Sequence, residues 1–315
     1  MKKLLALILV FLQSVSVCTA QSSKITLNAN QVSTFYQEIS QATLVIPVTD
    51  LKDPEEKTLI DAVKKHWTIC AYKTISRKAF DELHLKDEPA SPKTYYLIKE
   101  TYERLKRRKK DWAYTKYYIT KEKHWVEEQN QPFIEFKLPL KTINRIPVEV
   151  PVGYLFDLMI KHLNGEVHLM KNPDAYAASF SRKKLLKVNF KHSLKPYAGK
   201  TLLISKNELE NFMINLPDAW KDGEQQDRFM VSIYKKTKIN PANIKMATEA
   251  EIKTAVTKED SNTLIYTGYS IYNAQDAKMI RRIDPNKGAK PGHWILVVTL
   301  SAAVIFTAMA LTGTL

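Results

Sequence analysis

The sequence predicts an α/β protein: two related β-α-β-α-β-β units with mixed sheets, an N-terminal signal segment and a C-terminal transmembrane helix. Three observations carry that expectation. Apolar β-branched runs alternate with helical patterns, and the same order occurs twice along the chain. The opening residues, "MKKLLALILVFLQSVSVCTA", place two lysines before an apolar run. The final 23 residues, "HWILVVTLSAAVIFTAMALTGTL", contain no charged side chain.

Residues 1–20 follow the order of a secretory signal: a cationic start, an apolar stretch, then small residues, with cleavage expected before Gln21. A polar leader occupies 21–42. The first unit, 43–150, opens with the strand "TLVIPV" (Thr43–Val48). "DPEEKTLIDAVKKHW" reads as a helix capped by Asp53, with Pro54 in its first turn and Glu55 and Glu56 at its positive end. Leu59, Ile60, Val63 and Trp67 form its apolar stripe. The strand "TICAYKTIS" and the helix "RKAFDELHL", begun by Ser76, come next.

"TYYLIKETYERLKRRKKDWAYTKYYITKEKHW" sets helix-favouring residues in its middle against aromatic, β-branched flanks. The flanks decide the reading: two strands joined by a basic tip at Lys106–Lys110. "PFIEFKLPL" adds a strand, and "RIPVEVPVG" reads as a linker spaced by prolines.

Residues 151–199 hold a linking helix, about Val152 to Leu163, and a basic connector. Leu155, Leu158, Met159 and Leu163 recur at helical spacing, with Ile160 beside them. The second unit, 200–285, repeats the first in outline. "KTLLIS" matches the opening strand, "NELENFMINLPDAW" a shorter helix, and "RFMVSIYKKTKI" the second strand. "ATEAEIKTAV" is the second helix. "NTLIYTGYSIYNA" and "AKMIRRID" are read as the closing strands, each continuous. A linker, 286–293, precedes the transmembrane segment 294–315.

The chemistry is expected to be sparse. Eight glycines include no G-x-G and no P-loop, which argues against a phosphate cradle and so against a nucleotide cofactor. "TGYSIYN" lacks the second glycine of a nucleophile elbow. No histidine pair has the i, i+4 spacing of a zinc helix, and the only cysteines are Cys18 and Cys70. Removal of the signal would leave Cys70 alone, so no internal disulfide is expected; its apolar run makes it a small core residue. Acidic neighbours such as Glu249 and Glu251 fit a helix start better than an acid–base pair. No catalytic residue, cofactor or metal site is nominated.

Cations dominate the polar signal. The formal net charge is +15, which favours anionic partners. Lys106, Arg107, Arg108, Lys109 and Lys110 are consecutive and flanked by Tyr102, Trp112, Tyr114, Tyr117 and Tyr118. Arg182, Lys183 and Lys184 form a second cluster. Both are candidate contacts for an anionic surface. Nucleic acid is gripped by the same residue types but is not expected outside the cytoplasm.

The tail supplies the membrane anchor: Trp294, Ile295, Leu296, Val297 and Val298, then Val304, Ile305 and Phe306. Trp294 to Leu315 as a helix would measure about 33 Å, against a hydrocarbon core of about 30 Å. Lys278, Arg281, Arg282, Lys287 and Lys290 precede it, a flank that the positive-inside tendency would keep in the cytoplasm. The signal argues for export of the body and outweighs that tendency, because passing a short tail is easy.

The expectation is therefore an exported, single-pass protein of a bacterial cell envelope, its body periplasmic or extracellular. It would act by binding or scaffolding toward an envelope protein or anionic polymer. The alternative is a membrane-tethered hydrolase whose site is assembled from dispersed residues between the units.

Overall fold

Each half of the chain builds a five-stranded sheet, and the two sheets share one strand order. The computed structural model describes residues 29–85, 93–106, 109–121, 134–143, 146–148, 151–174, 176, 197–208, 237, 239–268 and 270–282. The first sheet uses β1 (Thr43–Val48), β2 (Ala71–Ser76), β3 (Thr94–Lys106), β4 (Lys109–Thr120) and β5 (Glu135–Pro139), in the order β2-β1-β3-β4-β5. A small hairpin, β6 (Lys141–Ile143) with β7 (Ile146–Val148), follows it. The second sheet uses β8 (Thr201–Ser205), β9 (Ile244–Ala247), β10 (Thr263–Thr267), β11 (Ser270–Asn273) and β12 (Met279–Arg282), in the order β9-β8-β10-β11-β12. In both, the opening strand lies parallel to its two neighbours, and the last two strands turn antiparallel. The mixed α/β class expected from alternation is what the chain forms.

Five helices accompany the sheets among the described residues: α1 (Ala29–Ser40), α2 (Pro54–His66), α3 (Arg77–Leu85), α4 (Phe156–Leu169) and α5 (Glu249–Thr257). Alternation along β1 sends Leu44, Ile46 and Val48 to one face, where α1, α2 and α4 pack, and Val45 to the other, under Phe80 of α3. Asp53 caps α2 by accepting from Glu55 N and Glu56 N, and Ser76 Oγ accepts from Ala79 N in α3, as their positions in the sequence predict. Of the α2 stripe, Leu59, Val63 and Trp67 are buried and Ile60 partly so.

The main core crosses from one half to the other. The α4 stripe of Leu155, Leu158, Met159 and Leu163 is buried with Ile160, and shares a cluster with Ile252, Val256, Ile265 and Tyr272 of the second half. Phe136 stacks on Tyr272 with centroids 4.7 Å apart, and buried His162 lies against both rings with Nδ1 3.1 Å from Ala277 O.

Four sequence readings need correction. The leader contains α1, whose Val32, Phe35 and Ile39 enter the core at about 2 kcal/mol each. Glu38 on that helix accepts from Tyr95 Oη and Lys121 Nζ, both at 3.0 Å. Polar composition hid an apolar stripe at helical spacing. The linker "RIPVEVPVG" overlaps the β6–β7 hairpin. The strand beside β8 is β9, only four residues long; "RFMVSIYKKTKI" lies almost wholly outside the described residues. Finally, "NTLIYTGYSIYNA" is a hairpin, because Gly268 turns the chain at φ 53° and Thr267 pairs with Ser270. The run "AKMIRRID" consequently takes the place of β5, not of β4.

Within α4, Gly165 is exposed and a Cβ there would meet no atom within 4 Å. Gly165→Ala is expected to stabilise the protein by about 0.5–1 kcal/mol through reduced backbone entropy of the unfolded chain. A urea midpoint that does not rise would contradict this.

Candidate functional site

Open α/β sheets receive ligands at the carboxyl ends of their parallel strands, where consecutive connections leave a strand in opposite directions. Here β1 and β8 are those strands, each flanked by the next two parallel strands in sequence. At both places the chain fills the crevice with its own groups.

In the first half the loop after β1 leads into α2. Asp53 Oδ1 accepts from Glu55 N at 2.7 Å and Glu56 N at 3.1 Å. The Glu56 carboxylate turns back to accept from Thr49 N at 2.9 Å and Asp50 N at 2.8 Å. Glu55 Oε1 accepts from Val152 N at 2.8 Å, which ties the segment entering α4 to this helix start. Gly153 follows, lying against Thr58. The positive end of α2, where a phosphate would sit in a nucleotide-binding unit, is neutralised by three carboxylates of the protein itself.

The second half does the same with a buried group. Ser205 ends β8, and its Oγ accepts from Glu208 N at 3.3 Å. Glu208 is 4% exposed, and its Oε1 accepts from Gly268 N at 2.7 Å. Burial pushes the Glu208 carboxyl up to about 7, against the opposing effect of the Gly268 N–H. Thr267 Oγ1 lies beside it, buried, without closing a hydrogen bond of full geometry. The Tyr154 hydroxyl, from the turn Gly153–Leu155, is buried close to Ser205, Asn207, Glu208 and Glu249, and burial raises its proton affinity. Asn207 Nδ2 donates to Glu249 Oε1 at 3.4 Å. A Cβ on Gly268 would overlap the carbonyl of Lys137 in β5, so the β10–β11 turn sits directly on the first sheet. The turn, Tyr154 and the Glu208 carboxyl make one closed polar contact between the halves.

A second polar group joins α2 to α4. Asp157 pairs with His66 Nε2 at 3.1 Å and Lys65 Nζ at 3.4 Å, and the bond from His66 leads in holding its carboxyl below the ordinary value. Thr68 N donates to Asn164 Oδ1 at 2.9 Å, and Thr68 Oγ1 lies 3.1 Å from His168 Nε2. These contacts pin the end of α2 to α4. Near the end of α5, an open depression of about 720 Å³ is lined by Leu203, Glu251, Thr254, Lys258, Asp260 and Thr263. Its three carboxylates are already engaged: Glu251 closes a capping box on Thr248, Glu259 accepts from Lys161 Nζ, and Asp260 accepts from Thr263 Oγ1 and Asn262 N. Among the described residues no cluster of three His, Cys, Asp or Glu could hold a metal ion.

Of the residues nominated from sequence, Lys106, Lys109 and Lys110 lie at the end of the β3–β4 ribbon, with Lys106 paired to Lys109 and Leu105 to Lys110. Arg107, Arg108 and the cluster Arg182, Lys183 and Lys184 lie outside the described residues. So does the whole anchor, Trp294, Ile295, Leu296, Val297, Val298, Val304, Ile305 and Phe306; no described helix is long and apolar enough to cross a membrane. Cys70 is half-buried, with burial raising its thiol above the ordinary value. The sequence reading passed over Glu208 and Tyr154. Ser205-Lys206-Asn207-Glu208 has the spacing of a capping box, which was the available signal.

Comparison with protein-family models, curated proteins and solved structures finds no match to this chain.

Proposed function

We propose that this is an exported envelope protein, held to a membrane by its C-terminal apolar segment, which acts by binding or scaffolding. The observation that carries the choice of binding over catalysis is the filling of both crevices. Glu55, Glu56 and Glu208 occupy the positions where a substrate anion would enter, and the Val152–Leu155 segment lies across them. A hydrolase assembled between the halves would need a carboxyl open to substrate. Glu208, the most perturbed candidate, is enclosed.

The shared strand order, with N-caps Asp53 and Ser205 each followed three residues later by a glutamate that bonds a backbone N–H, supports reading the halves as copies of one unit. The domain limits 43–150 and 200–285 belong to that reading. Export and tethering rest on the signal-like first 20 residues and on 293–315. Flotation with liposomes tests the tether: the full chain is expected to rise with vesicles and a chain lacking 293–315 to stay below. A full chain that remains soluble without detergent would remove the membrane reading.

A further inference from the structure

The β3–β4 ribbon continues past both strands that flank it. Pairing to β1 stops at Tyr96 and pairing to β5 stops at Tyr114, whereas β3 and β4 pair out to Lys106 and Lys109. Four cross-strand pairs therefore lie beyond the last flanking pair: Glu103 with Ala113, Arg104 with Trp112, Leu105 with Lys110, and Lys106 with Lys109. At about 3.3 Å per residue this is an arm of roughly 13 Å. Between Lys99 and Lys116 the sequence carries eight basic and three acidic residues, so the charge of the ribbon has one dominant sign. The backbone register pairs Tyr102 with Tyr114 and Arg104 with Trp112, and after a register shift at Arg104/Leu105 it pairs Lys106 with Lys109.

We infer that this arm is a contact for an anionic bilayer surface. The inference rests on the proposed membrane tether and names what the body does once held there. A ribbon end that sets cations among Trp and Tyr in its register combines the two residue classes that membranes gather at their headgroup layer. Lysine and arginine meet lipid phosphates, while amphipathic rings settle at the interface. Stacking on a single-stranded nucleic acid would use the same residues. The bilayer is favoured because a tether at 293–315 keeps the arm at high effective concentration near lipid.

The test uses the full chain in nanodiscs of phosphatidylcholine, alone or mixed with phosphatidylglycerol, with Trp112 replaced by photoreactive benzoylphenylalanine. Lipid adducts are expected on the anionic discs, weak on the neutral ones. Combining Lys106→Gln, Lys109→Gln and Lys110→Gln should cut the yield about tenfold or more, since each cation near such a surface strengthens attachment about fivefold. Adducts that ignore lipid charge, or fall only on protein or added oligonucleotide, would overturn the arm. Co-elution with the discs reads the tether separately. If the chain does not co-elute with neutral discs the tether fails, and the arm then stands or falls on adducts with anionic discs in excess.

Discussion

Replacing Gly268 with alanine is expected to destabilise the fold by about 3 kcal/mol or more. Two costs combine. The residue has φ 53°, a region that costs a residue with a Cβ about 1–2 kcal/mol. The added Cβ would also overlap Lys137 O and come within 2.5 Å of Lys137 Cβ and 2.6 Å of Lys137 C, far inside van der Waals contact. Those neighbours are mostly backbone of β5, paired to β4 across Lys116 and Lys137, so relief requires moving a strand. Overpacking of this kind costs about 1–3 kcal/mol. The same step would strain the 2.7 Å bond from Gly268 N to Glu208. Gly199, where a Cβ would meet nothing within 4 Å, is the control, and Gly199→Ala should change stability by about 0.5 kcal/mol or less. Urea unfolding decides it: equal midpoints for the two variants would show that the β10–β11 turn does not lock the halves.

How much of this contact was legible beforehand follows from its parts. In the first half, strands β1 to β5 and helices α2 and α3 were readable because each signal was local, whereas α1 and the β6–β7 hairpin were not. Asp53-Pro54-Glu55-Glu56 announces a helix start, and the stripe Leu59, Val63 and Trp67 keeps one period throughout. The ribbon was readable because aromatic and β-branched residues on both sides outweighed the helix formers at its centre. The second half was read less well. Ile244–Ala247 is too short to show alternation, and its partner in the sheet is Leu202–Ser205, some forty residues away. Gly268 interrupts a run whose composition is otherwise uniform strand. The crevices were not legible at all, because they depend on Val152, Tyr154 and Lys137 arriving from outside the units they close. Glu208 looked like an ordinary third residue of a helix. Only the fold brings Gly268 N to it.

Glu208→Gln isolates what that carboxyl does. Its ordinary value is 4.5 and its value in the fold is about 7. Between the two, the native protein holds a proton that the unfolded chain has released, so stability falls as pH rises through the window. It is constant below about 4.5 and again above about 7. The shift corresponds to about 3 kcal/mol lost across the window. Gly268 N and the Thr267 side chain face the carboxyl, and the buried Tyr154 hydroxyl lies near it. Asp157, a carboxyl on α4 paired with His66 and Lys65, is lowered, so its contribution is lost only at more acid pH. Glutamine keeps an oxygen for Gly268 N and adds an amide donor facing the buried Thr267 and Tyr154 hydroxyls. The variant should therefore match the wild type near pH 4.5 and exceed it by about 3 kcal/mol at pH 8, with a flatter profile between. Glu208→Ala should lose about 1–3 kcal/mol through the orphaned Gly268 N–H, over and above any relief from the buried charge. Denaturation curves at intervals from pH 4 to 8 read all three proteins. Parallel profiles for wild type and Glu208→Gln would mean that the carboxyl titrates as if exposed, and that the contact between the halves is looser than its geometry.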